Sequence, residues 1–357
     1  MQCLKLTTKE KQVLYGLTKY PNSTDKTIAE KLDLNPSTVT SIRNRLRKQD
    51  FHQGLTIPRL QNLGCQILAI IYLDLNPLIP LKERVKISKK AIAVYEELFF
   101  SIGAQDKGFS ISLSKDYATI GRINDIRTQT FGKYGFIEDE YPNMIIFPFE
   151  ISKVYRFFDF APLLKKTLDI YTTSEKEIKN IGSLTKTHYT FSDTGKKVYC
   201  MLIKYPESSD IFIGNKLGVS RHTVSKLRVI FEKENLLRRI NLPNIKKLGF
   251  EILTTYHIHF DPRSNPDIGL DEASQLMSDA TIFMATRSFE AFILSVHINY
   301  DDFNKDTTRI MQILKEKKWI TKNPIIRTHS LSELILIKNF EFAPIAKKIL
   351  NCDVNFE

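Results

Sequence analysis

Three histidines in the second half of the chain have side chains suited to acid–base or metal chemistry. His257 and His259 alternate along one apolar run, so in a strand they point to the same face of a sheet. His297 lies in another strand-like run, and the order of strands and helices described below sets that run beside the first. The three imidazoles are therefore weak candidates for a metal site or for proton transfer. The alternative is that they are polar side chains on a partly solvated sheet or at a domain interface, and we predict neither a metal nor a cofactor.

Short motifs of nucleotide-binding and hydrolytic enzymes do not occur in the sequence. It contains no Walker or Gly-x-Gly-x-x-Gly loop, no His-Glu-x-x-His helix and no nucleophile elbow. The four cysteines are scattered singly, which argues against a disulfide framework or a cysteine zinc site: Cys3, Cys65, Cys200 and Cys352. These absences predict that the protein is not an enzyme.

Two helical segments, residues 36–47 and 221–232, combine small polar and basic side chains on one face. Apolar residues recur in each at helical spacing and form the opposite, inward stripe. This pattern is typical of the recognition helix of a helix-turn-helix, whose outer face contacts double-stranded DNA. The predicted DNA-binding residues are Ser37, Thr38, Thr40, Ser41, Arg43, Asn44, Arg45, Arg47, Arg221, His222, Thr223, Ser225, Lys226, Arg228, Arg238 and Arg239.

The basic charge of the chain is concentrated around these two segments. Residues 1–62 hold 11 Lys and Arg against 5 acidic residues, and residues 189–249 hold 12 against 5. The net charge of the whole chain is +12, so the rest of the sequence is close to neutral. Because phosphates are polyanionic, this distribution favours a nucleic-acid partner.

An internal repeat explains why these features occur twice. The segment that starts at Leu6 aligns with the one that starts at Phe191, at a constant offset of 185 residues. Roughly 21 of about 72 aligned pairs are identical. The segment FDFAPLLKKTL, from Phe158, likewise resembles FEFAPIAKKIL, from Phe340. We infer that a whole two-domain unit is duplicated.

Each repeat predicts a winged helix-turn-helix followed by a βαββαβ domain. Asn35 and Ser220 stand where they can cap the third helix of each copy, and residues 50–57 predict a short wing. Strand-like and helical runs then alternate in the order of a ferredoxin-like fold, and a short terminal helix closes each copy. The fold class is thus α+β, with two winged helix-turn-helix domains alternating with two ferredoxin-like βαββαβ domains. The predicted boundaries are 1–62, 63–170, 189–247 and 248–357, with a polar linker at 171–188.

This arrangement resembles the Lrp/AsnC family of transcription regulators. The resemblance is carried by the third helix of each copy, by the Leu-Gly pairs at 63–64 and 248–249, and by the segment IGAQDKGFSISLSKDY that starts at Ile102. It implies a sequence-specific DNA-binding transcription regulator that responds to a small-molecule effector and forms a homodimer. The family's turn with a Gly and an Asp places that effector near Gly103 and Asp106.

The sequence also departs from this family and leaves two alternatives. The usual member has one unit per chain, and residues 286–289 replace the Gly–Asp turn in the second copy. Siroheme decarboxylases resemble the same family, and Leu237-Arg238-Arg239-Ile240 together with the histidines fit such a tetrapyrrole enzyme. A winged-helix scaffold for protein interaction is the other alternative. The position of the basic charge favours DNA.

Targeting signals are not apparent. No apolar run reaches the ~18 residues that a membrane helix needs, and the first residues lack the apolar core of a secretory signal. The sequence therefore predicts a cytoplasmic protein without a membrane partner.

Overall fold

The computed structural model describes residues 6–137, 141–170, 189–264 and 268–356. The predicted linker at 171–188 and Cys3 lie outside these residues. The other cysteines, Cys65, Cys200 and Cys352, are buried free thiols. The predicted fold class, winged helices alternating with ferredoxin-like sheets, is confirmed. Within the described residues, no helix is both long enough and apolar enough to cross a membrane.

Local signals build the first winged helix. Thr7 caps the first helix with a capping box, because its side chain accepts from the Glu10 N–H while its own N–H donates to the Glu10 carboxylate at 2.7 Å. Asn35 takes the predicted N-cap position of the third helix without the predicted side-chain hydrogen bond, and Pro36 follows it. The elements are α1 (Thr8–Lys19), α2 (Asp25–Leu32), α3 (Pro36–Lys48) and β1 (His52–Pro58).

The first βαββαβ domain follows after a short 3-10 turn at Leu60–Leu63. Its elements are β2 (Ile67–Asp74), α4 (Leu81–Ala93), β3 (Leu98–Gly103), β4 (Lys107–Ser114), α5 (Tyr117–Lys133) and β5 (Asn143–Pro148). The chain then forms β6 (Lys153–Phe157) and α6 (Ala161–Thr167). The terminal helix was predicted, whereas the strand before it was not.

The second half repeats this order. Ser220 caps the third helix of this half as predicted, because its hydroxyl accepts from the Thr223 N–H at 3.1 Å. The winged-helix elements are α7 (Asp193–Lys204), α8 (Asp210–Leu217), α9 (Arg221–Lys233) and β7 (Leu237–Pro243). The remaining elements are β8 (Ile252–His259), α10 (Leu270–Leu276), β9 (Thr281–Arg287), β10 (Glu290–His297), α11 (Tyr300–Glu316), β11 (Ile325–Ser330), β12 (Ile335–Lys338) and α12 (Ala343–Ile349). The wing strands β1 and β7 pair in a two-stranded sheet.

Each ferredoxin-like sheet gains a fifth strand from the other half of the sequence. One sheet has the order β5-β2-β4-β3-β12, and the other has the order β11-β8-β10-β9-β6. The first four strands of each follow the ferredoxin order, and the exchanged strand pairs antiparallel with an edge strand that would otherwise be open. Covering an edge in this way satisfies a row of backbone N–H and C=O groups.

Two compact units result, and each contains residues from both halves. The first unit comprises the described parts of residues 1–54, 151–183 and 239–332, and the second comprises those of 55–150, 184–238 and 333–357. In the first unit, the core of the first winged helix, with Val13 and Leu46, also contains Ala161 and Leu164 of α6. The helix after the exchanged strand therefore shares the core of a winged helix.

Side chains fix the exchanged strands as well. Arg156 on β6 is buried and donates to the carbonyl oxygens of Ser278 and Thr281, each at 2.6 Å. Lys338 on β12 is also buried and donates to the carbonyl oxygen of Tyr95 at 2.7 Å. These charge-assisted hydrogen bonds to carbonyl oxygens attach each added strand to the unit whose sheet it joins.

Candidate functional site

Four polar side chains meet at one end of the sheet in the first unit. The antiparallel register pairs His259 on β8 with Glu290 on β10, and pairs Glu290 with Arg287 on β9. His257 lies two residues before His259 and therefore shares its face of the sheet. We call these four residues, His257, His259, Arg287 and Glu290, the imidazole cluster.

The cluster is held together by short contacts around one carboxylate. Oε1 of Glu290 lies 3.6 Å from Nε2 of His257 and 3.5 Å from Nε2 of His259. Its other oxygen accepts from Arg287, at 2.8 Å from Nε and 2.6 Å from Nη2. The two imidazole rings lie with centroids 4.1 Å apart. His257 is buried, whereas 57% of the His259 side chain is exposed, so the cluster reaches solvent through one imidazole.

Burial and neighbouring charges set the protonation of two members. Burial raises the pKa of Glu290, but hydrogen bonds from His257 and Arg287 outweigh it and bring the pKa down to about 2. Burial, followed by the neighbouring His257, lowers the pKa of His259, and Glu290 opposes this in part. At neutral pH the cluster therefore presents an ionised carboxylate and a neutral, accessible imidazole.

This donor set is suited to metal binding and to proton transfer. The nitrogen and oxygen atoms of His257, His259 and Glu290 all lie within 4.8 Å of one another. Imidazole and carboxylate are the ligand types that divalent transition metals such as Zn²⁺ accept. A carboxylate beside an imidazole also stabilises its protonated form during proton transfer.

His297 does not belong to this site, contrary to the sequence-based expectation. The register pairs it with Ile252, which places its side chain on the opposite face from His257 and His259. There it is fully buried and its ring meets Phe303 of α11, with centroids 5.7 Å apart. The strands themselves are neighbours as predicted, but strand parity separates the histidines.

Sequence reasoning missed Glu290 and Arg287. Both flank the two-residue turn at Ser288 and Phe289, and Arg287 itself belongs to residues 286–289, which replace the Gly–Asp turn of the Lrp/AsnC family. An alternating His-x-His strand followed by a hairpin with charged ends is a signal that can find such a pair. This pattern identifies which residues meet only when the register of the hairpin is known, and the sequence alone does not determine that register.

The predicted DNA-binding residues lie on or near the surfaces of the two winged helices. Ten are exposed: Ser37, Thr40, Ser41, Asn44, Arg45, Arg47, Arg221, His222, Ser225 and Lys226. Six are partly buried: Thr38, Arg43, Thr223, Arg228, Arg238 and Arg239. Their role in DNA binding stays a prediction.

Three of the predicted DNA-contacting arginines form ion pairs inside their own winged helices. Arg43 lies 2.7 Å from Asp25 and Arg45 lies 2.8 Å from Glu10. Arg228 contacts Asp210 at 2.5 Å, with only 14% of its side chain exposed. These contacts join α3 and α9 to the preceding helices, so the three guanidinium groups have a structural role.

The two residues expected to bind an effector flank the β3–β4 turn. Gly103 is buried, and a Cβ built on it would lie 3.3 Å from Ile337 of the exchanged strand β12. Asp106 is exposed and forms an ion pair with Lys107 at 3.0 Å. An effector that approaches this turn would therefore meet Asp106 rather than Gly103.

Comparison with known proteins gives no family model and no curated sequence that matches the chain. Among solved structures, the siroheme decarboxylase NirDL covers 96% of this chain and 98% of its own, with 9% identity and a TM-score of 0.49. Its complex with an iron-uroporphyrin III analogue gives 10% identity and a TM-score of 0.48, over 97% of this chain and 99% of that one.

A transcriptional regulator of Neisseria meningitidis, in complex with L-Met, matches over 40% of this chain and 90% of its own, with 13% identity and a TM-score of 0.33. The winged-helix and ferredoxin-like parts of the chain are seen in its own elements and strand orders. The prediction that the chain is not an enzyme is contradicted by the full-length match, because the protein matched there is an enzyme.

Proposed function

We propose that the chain is an enzyme of the siroheme-decarboxylase type, with an anionic tetrapyrrole as substrate and the imidazole cluster as the substrate-binding site. The observation that carries this proposal is the accessible imidazole of His259, supported by Glu290 and Arg287 at an open end of the sheet. Bound tetrapyrroles need a nitrogen ligand for the metal, cations for the carboxylates and apolar contacts for the ring.

The same positions in the first βαββαβ domain show that the fold does not require the cluster. Tyr72 and Asp74 occupy the positions of the two histidines, and Lys107 occupies that of Glu290. Both domains form the same four-stranded order, so an imidazole cluster in one of them supports a chemical rather than a structural role.

The chemistry of decarboxylation fits these side chains. When a –CH₂–COO⁻ side chain loses CO₂, the C–C bond breaks, the carbon keeps the electron pair and a proton must then be added to give a methyl group. No electron enters or leaves, so the residues have to bind a carboxylate and supply one proton. Arg287 offers the guanidinium for the first task, and an imidazole beside the Glu290 carboxylate suits the second.

Apolar surface for a macrocycle lies next to the cluster. Ile325 of β11 pairs with His257 and is 41% exposed, and Phe289 in the adjacent turn is 44% exposed. Such side chains can pack against a flat ring, while the cluster binds its polar substituents.

Binding of iron-uroporphyrin III to the purified chain tests the proposal. We expect a shift of the Soret absorption on titration, and His259→Ala should weaken binding by at least about tenfold, because it removes a ligand and about 1.4 kcal/mol corresponds to that factor. Release of labelled CO₂ from a carboxyl-labelled siroheme tests the reaction itself.

The matched control is His222→Ala, an exposed histidine on α9. It should bind the porphyrin like the wild type. Absence of a Soret shift in the wild type, or equal binding by His259→Ala, would show that the cluster is not a tetrapyrrole site.

DNA binding is a second candidate function, favoured by the exposed polar faces of α3 and α9. Arg221, His222 and Lys226 are exposed around the start of α9, where side chains of a recognition helix reach base edges. If phosphates are bound, affinity should fall steeply between about 50 mM and 200 mM salt, and Lys226→Ala should reduce the salt dependence. A chain that binds porphyrin but shows no salt-dependent retention of DNA fragments would contradict this second function.

A further inference from the structure

A guanidinium group with no carboxylate partner among the described residues lies in the core of the second unit. Arg127 on α5 is 2% exposed and faces the sheet. Its Nη1 donates to the hydroxyl of Ser110 on β4 at 3.0 Å. Its other two nitrogens, Nε and Nη2, are buried and have no hydrogen-bond partner among the described residues. One edge of the guanidinium is therefore unused.

The group is charged in spite of its burial. Burial lowers the pKa of Arg127 to about 10, and the main electrostatic influence that opposes this comes from Tyr95. A pKa of about 10 leaves the guanidinium protonated at neutral pH. A buried cation is costly unless an anion or several hydrogen bonds compensate its charge.

Arg127 is one of the residues that line a cavity of about 30 Å³ between α4, α5 and the sheet. The lining also contains Arg84, Ser88, Ser101 and Ser110, and its other residues are apolar or glycine. No carboxylate lines the cavity in the described part of the chain. Arg84 donates to the carbonyl oxygens of Asn76, Ala104 and Gln105, which leaves its positive charge without a local carboxylate in the cavity.

The second βαββαβ domain shows that the fold does not need these polar residues. Helices α5 and α11 have equal lengths, and Ile310 occupies the position of Arg127. The sheet registers likewise place Ile293 and Met284 at the positions of Ser110 and Ser101. These three apolar residues are fully buried in one continuous core. In the first domain, Arg127, Ser110 and Ser101 therefore stand where the second domain has an apolar core.

We propose that this cavity is a binding site for a small planar oxyanion, held by the Nε and Nη2 edge of Arg127. The two N–H groups on that edge are parallel and match both oxygens of a carboxylate or of bicarbonate. The volume corresponds to roughly two water molecules, which restricts the ligand to the size of formate or bicarbonate. The O–H of Ser110 donates to the carbonyl oxygen of Ile71, so the further donors to an anion are the hydroxyls of Ser88 and Ser101.

Thermal unfolding of the full chain in sodium formate, sodium bicarbonate or sodium chloride, at equal ionic strength and pH, tests the site. A ligand at a hundred times its Kd multiplies the folded-to-unfolded ratio about 100-fold. We expect Tm to rise in a saturable way in formate or in bicarbonate, relative to chloride. Comparison of the formate and bicarbonate titrations distinguishes a carboxylate ligand from bicarbonate. The variant Arg127→Ile, which copies Ile310, should lose this rise, whereas Arg122→Met at an exposed position of the same helix should keep it.

Equilibrium dialysis of ¹⁴C-formate and ¹⁴C-bicarbonate against the wild-type chain provides a measurement that does not depend on the variant's folding. We expect one anion bound per chain, displaced by nitrate, which has the same planar geometry. Equal Tm in all three salts, together with no ¹⁴C anion retained by the chain, would overturn the proposal. The cavity would then hold only water. Binding that persists in a folded Arg127→Ile variant would also overturn it.

Discussion

His297 illustrates how burial decides the chemistry of one side chain. It lies on the helix-covered face of its sheet, with Nδ1 3.7 Å from Oδ2 of Asp302. Burial lowers the pKa of His297, and Asp306 and Asp302 raise it only in part, while Lys166 adds to the lowering. The imidazole is therefore neutral in the folded chain at neutral pH and belongs to the core rather than to the imidazole cluster.

This histidine predicts a loss of stability in mild acid. A group whose pKa is lowered by folding binds fewer protons in the folded state, so its contribution is complete above the unfolded pKa of about 6.5 and is lost as the pH falls below it. We expect the unfolding free energy of the wild type to fall between roughly pH 7.5 and pH 5.5, and His297→Gln to show a smaller fall. Urea unfolding at several pH values measures this. His222→Gln, at an exposed position, should retain the wild-type dependence, and equal slopes in all three proteins would contradict the assignment.

At the scale of elements, one ion pair recurs in both winged helices. Arg43 pairs with Asp25, and at the same positions of the second copy Arg228 pairs with Asp210. In each case the arginine belongs to the third helix of its winged helix-turn-helix, and the aspartate begins the helix before it. The pair therefore joins two neighbouring helices in each copy, which gives these two basic residues a role that needs no ligand.

Replacing Arg228 by Met tests this structural role. The variant should lose about 1.5–3 kcal/mol of unfolding free energy, the usual contribution of a hydrogen bond to a charged group, because Asp210 is left partly buried without its partner. The matched variant Arg221→Met, at an exposed position of the same helix, should stay within about 0.5 kcal/mol of the wild type. Denaturant unfolding gives both values. Equal stability of the two variants would mean that the ion pair does not hold the helices together.

At the scale of the whole molecule, the two units are built by exchange between the halves of the sequence. The first half contributes α1, α2, α3, β6 and α6 to the first unit, and the other four strands of its sheet come from the second half. The second half contributes α7, α8, α9, β12 and α12 to the second unit. Neither half alone contains a complete unit.

Separate expression of residues 1–170 and 189–357 tests this exchange. Each half alone lacks the partner for its winged helix and its last strand, so we expect it to aggregate or to associate with another copy of itself. Co-expression of the two halves should restore a one-to-one complex that unfolds cooperatively. Gel filtration with light scattering distinguishes these outcomes, and two halves that are stable as separate monomers would contradict the exchange.

Local sequence determined the elements of this protein. Helical spacing of apolar residues and the caps at Thr7 and Ser220 are short-range signals, because a helix satisfies its hydrogen bonds within a few residues. Strand alternation likewise places His257 and His259 on one face, because residues two apart in a strand point the same way. The order βαββαβ and the internal repeat followed from the same local patterns.

Tertiary structure alone decided which residues meet. The face of His297, and the meeting of Glu290 with the two histidines, depend on the register of β8, β9 and β10, and a slip of one residue would reverse the faces. The cavity beside Arg127 depends on the packing of α5 against a sheet that contributes Ser101 from β3 and Ser110 from β4. The exchange of β6 and β12 depends on backbone groups at two distant sheet edges, and backbone N–H and C=O groups are the same in every residue. Side-chain patterns therefore could not identify which edge each strand would join.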